Sequence, residues 1–216
     1  MNSKINLIDV GFADGLTSPW IKNYHHLGNL FIIDPLLANS YGGDICHLNK
    51  AIFNKSGYRL FYIYRKKECS SLFKITNNVA SLSNPKEDLS KYELINTINV
   101  ECVRLDSVLP NIPIEYDFIK VDTQGSDANV IYSLGKYLNS FVGMQVELYH
   151  KPFYLSSILA DEFHSFITSI GNWRGYQLKG GNDLFHNFLY LNLDTSKKDK
   201  LELIKRLYNP KGNSCN

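Results

Sequence analysis

Tyr116-Asp117-Phe118-Ile119-Lys120-Val121-Asp122-Thr123-Gln124-Gly125-Ser126-Asp127 is the stretch that decides the fold. Its apolar centre reads as a buried strand that ends in an acid and a glycine-bearing turn. The helix that follows places Val130, Ile131, Leu134, Tyr137 and Leu138 on one face at helical spacing. A second buried strand, Val142 to Leu148, then ends in Glu147-Leu148-Tyr149-His150. Strand, helix, strand in this order is the unit from which a mostly parallel α/β sheet is built.

The pattern extends in both directions. Upstream, Ile5 to Val10 is a first strand running into Gly11-Phe12-Ala13-Asp14-Gly15. Thr17-Ser18-Pro19-Trp20 is expected to open a helix, a hydroxyl cap being followed by proline where its missing N–H costs nothing. Leu30 to Ile33 is a second strand ending in Asp34-Pro35, a third covers Ile45 to Phe53, and Tyr58 to Tyr64 alternates like an edge or hairpin strand. Residues 65–96 are polar and poorly patterned and read as loop with one short helix, before a further strand from Val100 to Leu105. Downstream, a helix near Ser157–Ile170 precedes Tyr176–Leu178, the turn Gly180-Gly181-Asn182-Asp183 and the strand Phe188–Leu193, the last two strands forming an antiparallel pair. Ser196 to Tyr208 is a charged amphipathic helix with a solvated lysine face.

Composition narrows the function classes. At 216 residues the chain is read as one domain, 1–216, with a core that needs no disulfide or metal staple. With 23 Lys+Arg against 21 Asp+Glu it carries no electrostatic footprint for nucleic acid. No apolar run approaches the ~18 residues of a membrane span. The N-terminal apolar stretch ends at Asp9, too early for a secretory signal. Cys46, Cys69, Cys102 and Cys215 show no CxxC pair and no histidine at ligand spacing, which points to reduced thiols in a cytoplasmic protein.

In an open parallel sheet, ligands bind beyond the carboxyl ends of the strands. Here Asp9, Asp34, Asp122 and Glu147 all fall at strand ends. Asp9-Val10-Gly11-Phe12-Ala13-Asp14-Gly15 has the spacing D-x-G-x-x-x-G, whose glycines let the backbone turn sharply beside a ligand. A pyrophosphate prefers G-x-G-x-x-G at a helix start, so carboxylates here suit a cationic ligand better. Asp34 follows about twenty residues beyond the glycines, where an acid accepts hydrogen bonds from ribose hydroxyls. Together the two features point to an adenosine-containing ligand.

At these positions the chain resembles the FkbM-type S-adenosylmethionine-dependent methyltransferases, from Ile5 to about Asn192. Ile8-Asp9-Val10-Gly11 with Gly15 is similar to the family's first motif, and Phe31-Ile32-Ile33-Asp34-Pro35 to its second-strand ending. Ala51 to Gly57, the serine pair Ser70-Ser71, Val103-Arg104-Leu105-Asp106 and Glu147-Leu148-Tyr149-His150 with Phe153-Tyr154 match further stretches. Ile119 to Asp127 resembles the most specific signature. Asp14 stands where the family usually has Asn, and Gln124 and Asp127 where Glu is common. The first strand also begins without the leading helix that many such enzymes place over the cofactor.

The resemblance implies a Rossmann-like class I methyltransferase fold. This is a mostly parallel seven-stranded sheet of order 3-2-1-4-5-7-6 with helices on both faces. It implies S-adenosylmethionine as cofactor, held by Asp9, Gly11, Phe12, Gly15, Asp34, Pro35 and Asp122, and O-methylation of a small-molecule or saccharide acceptor. A sugar hydroxyl needs a general base, worth ~10²–10⁴-fold. Histidine's ordinary pKa favours His150, with Asp122 orienting the acceptor or the donor's amino group. Asp122, Glu147 and His150 also form a ligand set suited to Mg²⁺ or Mn²⁺, which would acidify the hydroxyl. Residues 65–96 and Lys151-Pro152-Phe153-Tyr154 are expected to recognise the acceptor, their aromatics packing on sugar faces. Two alternatives stand beside this reading. Tyr132-x-x-x-Lys136 after a Gly11-x-x-x-Gly15 turn fits a nicotinamide-dependent short-chain reductase, and the short front end with Asp14 fits a non-catalytic binding subunit. The oligomeric state is left open, a homodimer included.

Overall fold

The computed structural model describes residues 3–13, 15–37, 45–82 and 88–209, and the backbone of 214–215. Asp14 and the Cys215 side chain lie outside the described residues. Strand β1 (Ile5–Val10) pairs in parallel with β2 (Leu27–Ile33), and β2 with β3 (Ile45–Leu48). A second sheet is made by β4 (Ala51–Ile52), β5 (Gly57–Tyr64) and β6 (Leu94–Val103), in the order β4-β6-β5. The one-turn helices α1 (Val79–Leu82) and α2 (Leu105–Val108) flank β6. Then come β7 (Phe118–Val121), α3 (Asp127–Tyr132), β8 (Gly143–Tyr149), α4 (Ala160–Ser169), β9 (Trp173–Gln177), β10 (Phe185–Asn192), α5 (Lys198–Tyr208) and the two-residue β11 (Ser214–Cys215).

The main sheet runs β3-β2-β1-β7-β8-β10-β9, parallel except that β10 is antiparallel to β8 and β9; β11 extends the β9 edge. Renumbered within that sheet, the order is the expected 3-2-1-4-5-7-6. Every residue of β7 and β8 is buried, because both faces are covered. Alternate residues feed two cores. Ile8, Val10, Ile119, Val121 and Val146 pack under α3 and α4, whereas Leu7, Ile32, Phe118 and Leu189 pack with Trp20 and α5.

Three expectations change. The helix after Thr17-Ser18-Pro19-Trp20 is a kinked 3₁₀ segment, Ile21–His26, because Trp20 turns fully into the core, its Nε1 donating to the Tyr208 hydroxyl at 3.0 Å. The Ile45–Phe53 run is two strands: β3 ends at Leu48 and β4 crosses to the second sheet, parallel to β6. The loop expected over 65–96 yields at its end to β6, which starts at Leu94 and pairs with β5 along almost its whole length.

Candidate active site

The parallel strands β1, β2, β7 and β8 deliver their last residues to the same rim. At the end of β1, Gly11 has φ +82° and its N–H donates to the Ile33 carbonyl at 2.8 Å. A Cβ on Gly11 would lie 1.9 Å from the Asp122 carbonyl oxygen, so only glycine allows the ends of β1 and β7 to approach this closely. Asp34, just past β2, accepts from the Leu36 N–H at 2.7 Å and from the Ala13 N–H at 3.3 Å, tying the β2 turn to the glycine loop. Burial pushes its carboxyl above the ordinary carboxylate range, the two N–H donors opposing.

Beyond β7 the chain makes a tight acidic loop. Asp127 is buried and accepts from the Thr123 and Gly125 N–H groups at 3.1 and 2.9 Å. Burial and the neighbouring Asp122 still push it up to about 7. Gln124 sits in the left-handed region at φ +56°. Its Nε2 donates to Asp122 Oδ1 at 2.8 Å and Glu147 Oε1 at 3.2 Å, while its Oε1 accepts from the Tyr149 and Tyr154 hydroxyls. A carboxylate at 124 could not donate to those two acids. Glu147 is raised well above its ordinary value, by burial first and then by Asp122 and Asp127.

One lysine serves this rim. Asp9 and Lys120 are register partners on β1 and β7, and Lys120 Nζ lies 3.1 Å from Asp9 Oδ1 and 4.0 Å from Asp122 Oδ2. Asp9 is 0% exposed and its Oδ2 has no hydrogen-bond partner. Burial outweighs the pairing with Lys120 and pushes Asp9 up to about 6.

A cavity of about 540 Å³ opens over these strand ends, within the range of ligand pockets. Gly11, Asp34, Pro35, Asp122 and Gln124 form its sheet side. Ile52, Phe61 and Ile63 of the second sheet and Leu72 form an apolar wall, with Lys50, Lys67, Glu68 and Ser70 between them. Four of the sequence-predicted residues, Gly11, Asp34, Pro35 and Asp122, therefore meet in one hollow. The other three cofactor candidates do not line it: Asp9 lies beneath the floor, Phe12 packs in the core beside Trp20, and Gly15 closes the turn through its N–H to the Phe12 carbonyl.

His150 is not at the cavity. It is exposed, with Nε2 3.0 Å from His186 Nδ1, on the α4 side of the sheet. Among the described residues no group of three or more His, Cys, Asp or Glu side chains is arranged to hold a metal ion, and Asp122, Glu147 and His150 are not brought together as one. Of the aromatics expected to pack on sugar faces, Phe153 and Tyr154 are core instead, the Tyr154 hydroxyl donating to the Cys69 carbonyl at 2.9 Å. Tyr132 packs on Phe163 and Phe166 and Lys136 lies over the Tyr137 ring, so the Y-x-x-x-K pair is remote from the cavity. Sequence reasoning missed the wall from β4 and β5 and the pivot of Gln124; the alternation of Tyr58–Tyr64 was the only signal for the former.

A sheet of this order, with a glycine turn after its first strand and an acid after its second, defines a class I methyltransferase. The sequence model of the Methyltransferase FkbM domain matches residues 9–181, and the chain belongs to that family. No curated protein matches it. Membership implies S-adenosylmethionine as methyl donor, and the residues present fit it: an acid placed for ribose hydroxyls, an apolar wall for the base and carboxylates for the positive groups. No helix among the described residues is long and apolar enough to cross a membrane.

Proposed function

We propose that this chain transfers the methyl group of S-adenosylmethionine to a hydroxyl of a saccharide or saccharide-bearing small molecule. The observation that carries the reading is the meeting of Gly11, Asp34 and Asp122 in one cavity of ligand size. Asp34 would hold the ribose hydroxyls, Gly11 would give the donor a close backbone approach, and Ile52 and Phe61 would cover the adenine. When bound, the donor supplies a carbon already attached to a sulfonium leaving group. The chain's part is to hold the acceptor oxygen in line and take its proton.

Asp122 is the group for that proton. It lines the cavity with its side chain 31% exposed, and Gln124 fixes one of its oxygens. His150, the sequence-based choice, faces the other side of the sheet. Lys67, Glu68 and Ser70 give the acceptor side polar groups suited to hydroxyls. The free thiols of Cys46, Cys69 and Cys102 favour a reducing, cytoplasmic setting.

Calorimetric titration with S-adenosylhomocysteine tests the donor site, and incubation with methyl-labelled donor and a panel of free sugars and glycosides tests the acceptor class. Micromolar binding that Asp34→Ala weakens, with label entering a glycoside hydroxyl, is the expected outcome. Absence of binding at millimolar ligand would overturn the reading.

A further inference from the structure

We infer that the carboxyl cluster of Asp9, Asp122, Asp127 and Glu147 around Lys120 makes the cavity prefer the sulfonium donor to its thioether product, and that this preference grows with pH. The inference rests on the methyltransferase reading and concerns how the site tells substrate from product.

The argument starts from charge balance. Two carboxyls, Asp9 of β1 and Asp122 after β7, lie 3.1 and 4.0 Å from the Lys120 ammonium, and Glu147 of β8 is joined to Asp122 through the Gln124 amide, with Asp127 of α3 beside them in the same loop. Among the described residues no second cation forms an ion pair with any of them. Asp9 Oδ2 is buried with no partner at all. The cluster must therefore keep protons or face a cation, and the place open to a cation is the cavity that Asp122 lines. S-adenosylmethionine and S-adenosylhomocysteine share adenosine, ammonium and carboxylate, and differ by one methyl and one positive charge. Their affinity ratio therefore isolates the field at the sulfur.

The direction with pH follows from the groups that face the cluster. Asp34 adds like charge from β2; the hydroxyls of Tyr149, Tyr154 and Tyr208 are neutral, burial raising each well above its ordinary value. Lys50, Lys67 and Glu68 stand on the opposite wall. Asp9 at about 6 and Asp127 at about 7 lose their protons as pH rises toward 8, while Lys120 stays charged. The floor then becomes more negative, which favours the sulfonium and leaves the thioether nearly indifferent.

The test is calorimetric titration of the native protein with each ligand at pH 5.5 and pH 8.0. The ratio of product Kd to donor Kd should rise by about ten- to a hundredfold between them, a factor of order ten for each of the two carboxyls, Asp9 and Asp127, taken as about 10 Å away at an effective dielectric of about 20. Near pH 6.5, titrations in phosphate and in imidazole should show more protons released by the donor than by the product, a readout that needs no variant. Asp127→Asn should reduce the pH dependence. A ratio that is the same at both pH values, or equal proton release, would overturn the inference while leaving the methyltransferase reading intact. Failure of both ligands to bind would overturn both.

Discussion

Gly11→Ala is the sharpest single perturbation, because Gly15 provides a matched control four residues away. Both glycines have positive φ, +82° and +113°, where an L side chain is strained by about 1–2 kcal/mol. At Gly15 a Cβ meets nothing within 4 Å, so that strain is the whole cost. At Gly11 the Cβ would sit 1.9 Å from the Asp122 carbonyl oxygen and 2.7 Å from its carbon, both backbone atoms of the neighbouring strand end. Backbone cannot rotate out of the way as a side chain can, so an overpacking cost of about 1–3 kcal/mol or more is added. The sum is about 2–5 kcal/mol for Gly11 against about 1–2 for Gly15, out of a typical total of about 5–15. At about 2–4 °C per kcal/mol for a chain of this size, thermal midpoints should fall by about 4–20 °C and about 2–8 °C respectively. Urea denaturation and thermal melts read the stabilities, and calorimetry with S-adenosylhomocysteine reads the site. Affinity should drop sharply only for Gly11→Ala. Equal destabilisation by the two substitutions would show that β1 and β7 do not approach as described.

Further expectations concern the acids. Asp117, fully buried, accepts from the Asn6 N–H and from Lys197 and Lys200 of the α5 segment, so Asp117→Ala should cost about 1–3 kcal/mol by leaving the Asn6 N–H and Lys200 without their acceptor, Lys197 keeping Glu115; a loss under about 0.5 kcal/mol in urea denaturation would mean the pairs are already solvated. Asp34→Asn should weaken S-adenosylhomocysteine by about 10–100-fold, the loss of one charge-assisted hydrogen bond, and an unchanged Kd would remove Asp34 from the site. Asp9 and Asp127 have folded pKa values of about 6 and about 7 against 3.8 for the free side chain, so the folded state binds the extra protons. Stability from these two groups is therefore full below about pH 4, falls as pH rises to about 7 and is flat beyond, about 1.4 kcal/mol for each pKa unit. Urea midpoints at pH 5 and pH 8 should differ more for the native chain than for Asp127→Asn, and equal differences would refute the burial argument.

How much of this was legible in the sequence depends on which force decided each element. The strands β1, β2, β7 and β8 were visible because strands buried on both faces read as short, dense apolar runs. The crossing of the chain from β3 to β4 was not, since an apolar run carries no mark of which sheet each half joins. The start of β6 was hidden because Leu94, Ile95 and Asn96 stand on the exposed part of the hairpin, where nothing imposes alternation. The 3₁₀ segment after Trp20 was set by burial of that indole against Phe118 and Tyr208, a tertiary contact that overrode local capping signals. The position of His150 follows from the strand before it. Side chains alternate across a strand, so residues three apart, such as Glu147 and His150, face opposite ways. Tyr149 joins Glu147, and His150 joins the face of Val146 and Leu148.

The same alternation explains why the active rim is so costly to build and why it is nevertheless there. Asp9, Lys120 and Gln145 are register partners across β1, β7 and β8, a polar row laid over the core formed by Phe118, Leu189 and Trp20. A chain selected for stability alone would fill that row with apolar side chains, since a buried ion pair rarely repays its desolvation. Elsewhere in the sheet the rule of apolar interiors is kept: β1, β2 and β10 put Leu7, Ile32 and Leu189 on this face. The departures gather where β1, β7 and β8 approach one hollow, and they share a sign, four carboxyls to one ammonium. Local breaches of the packing rules that converge on one place and one charge are what the cation-binding role proposed for this hollow would require.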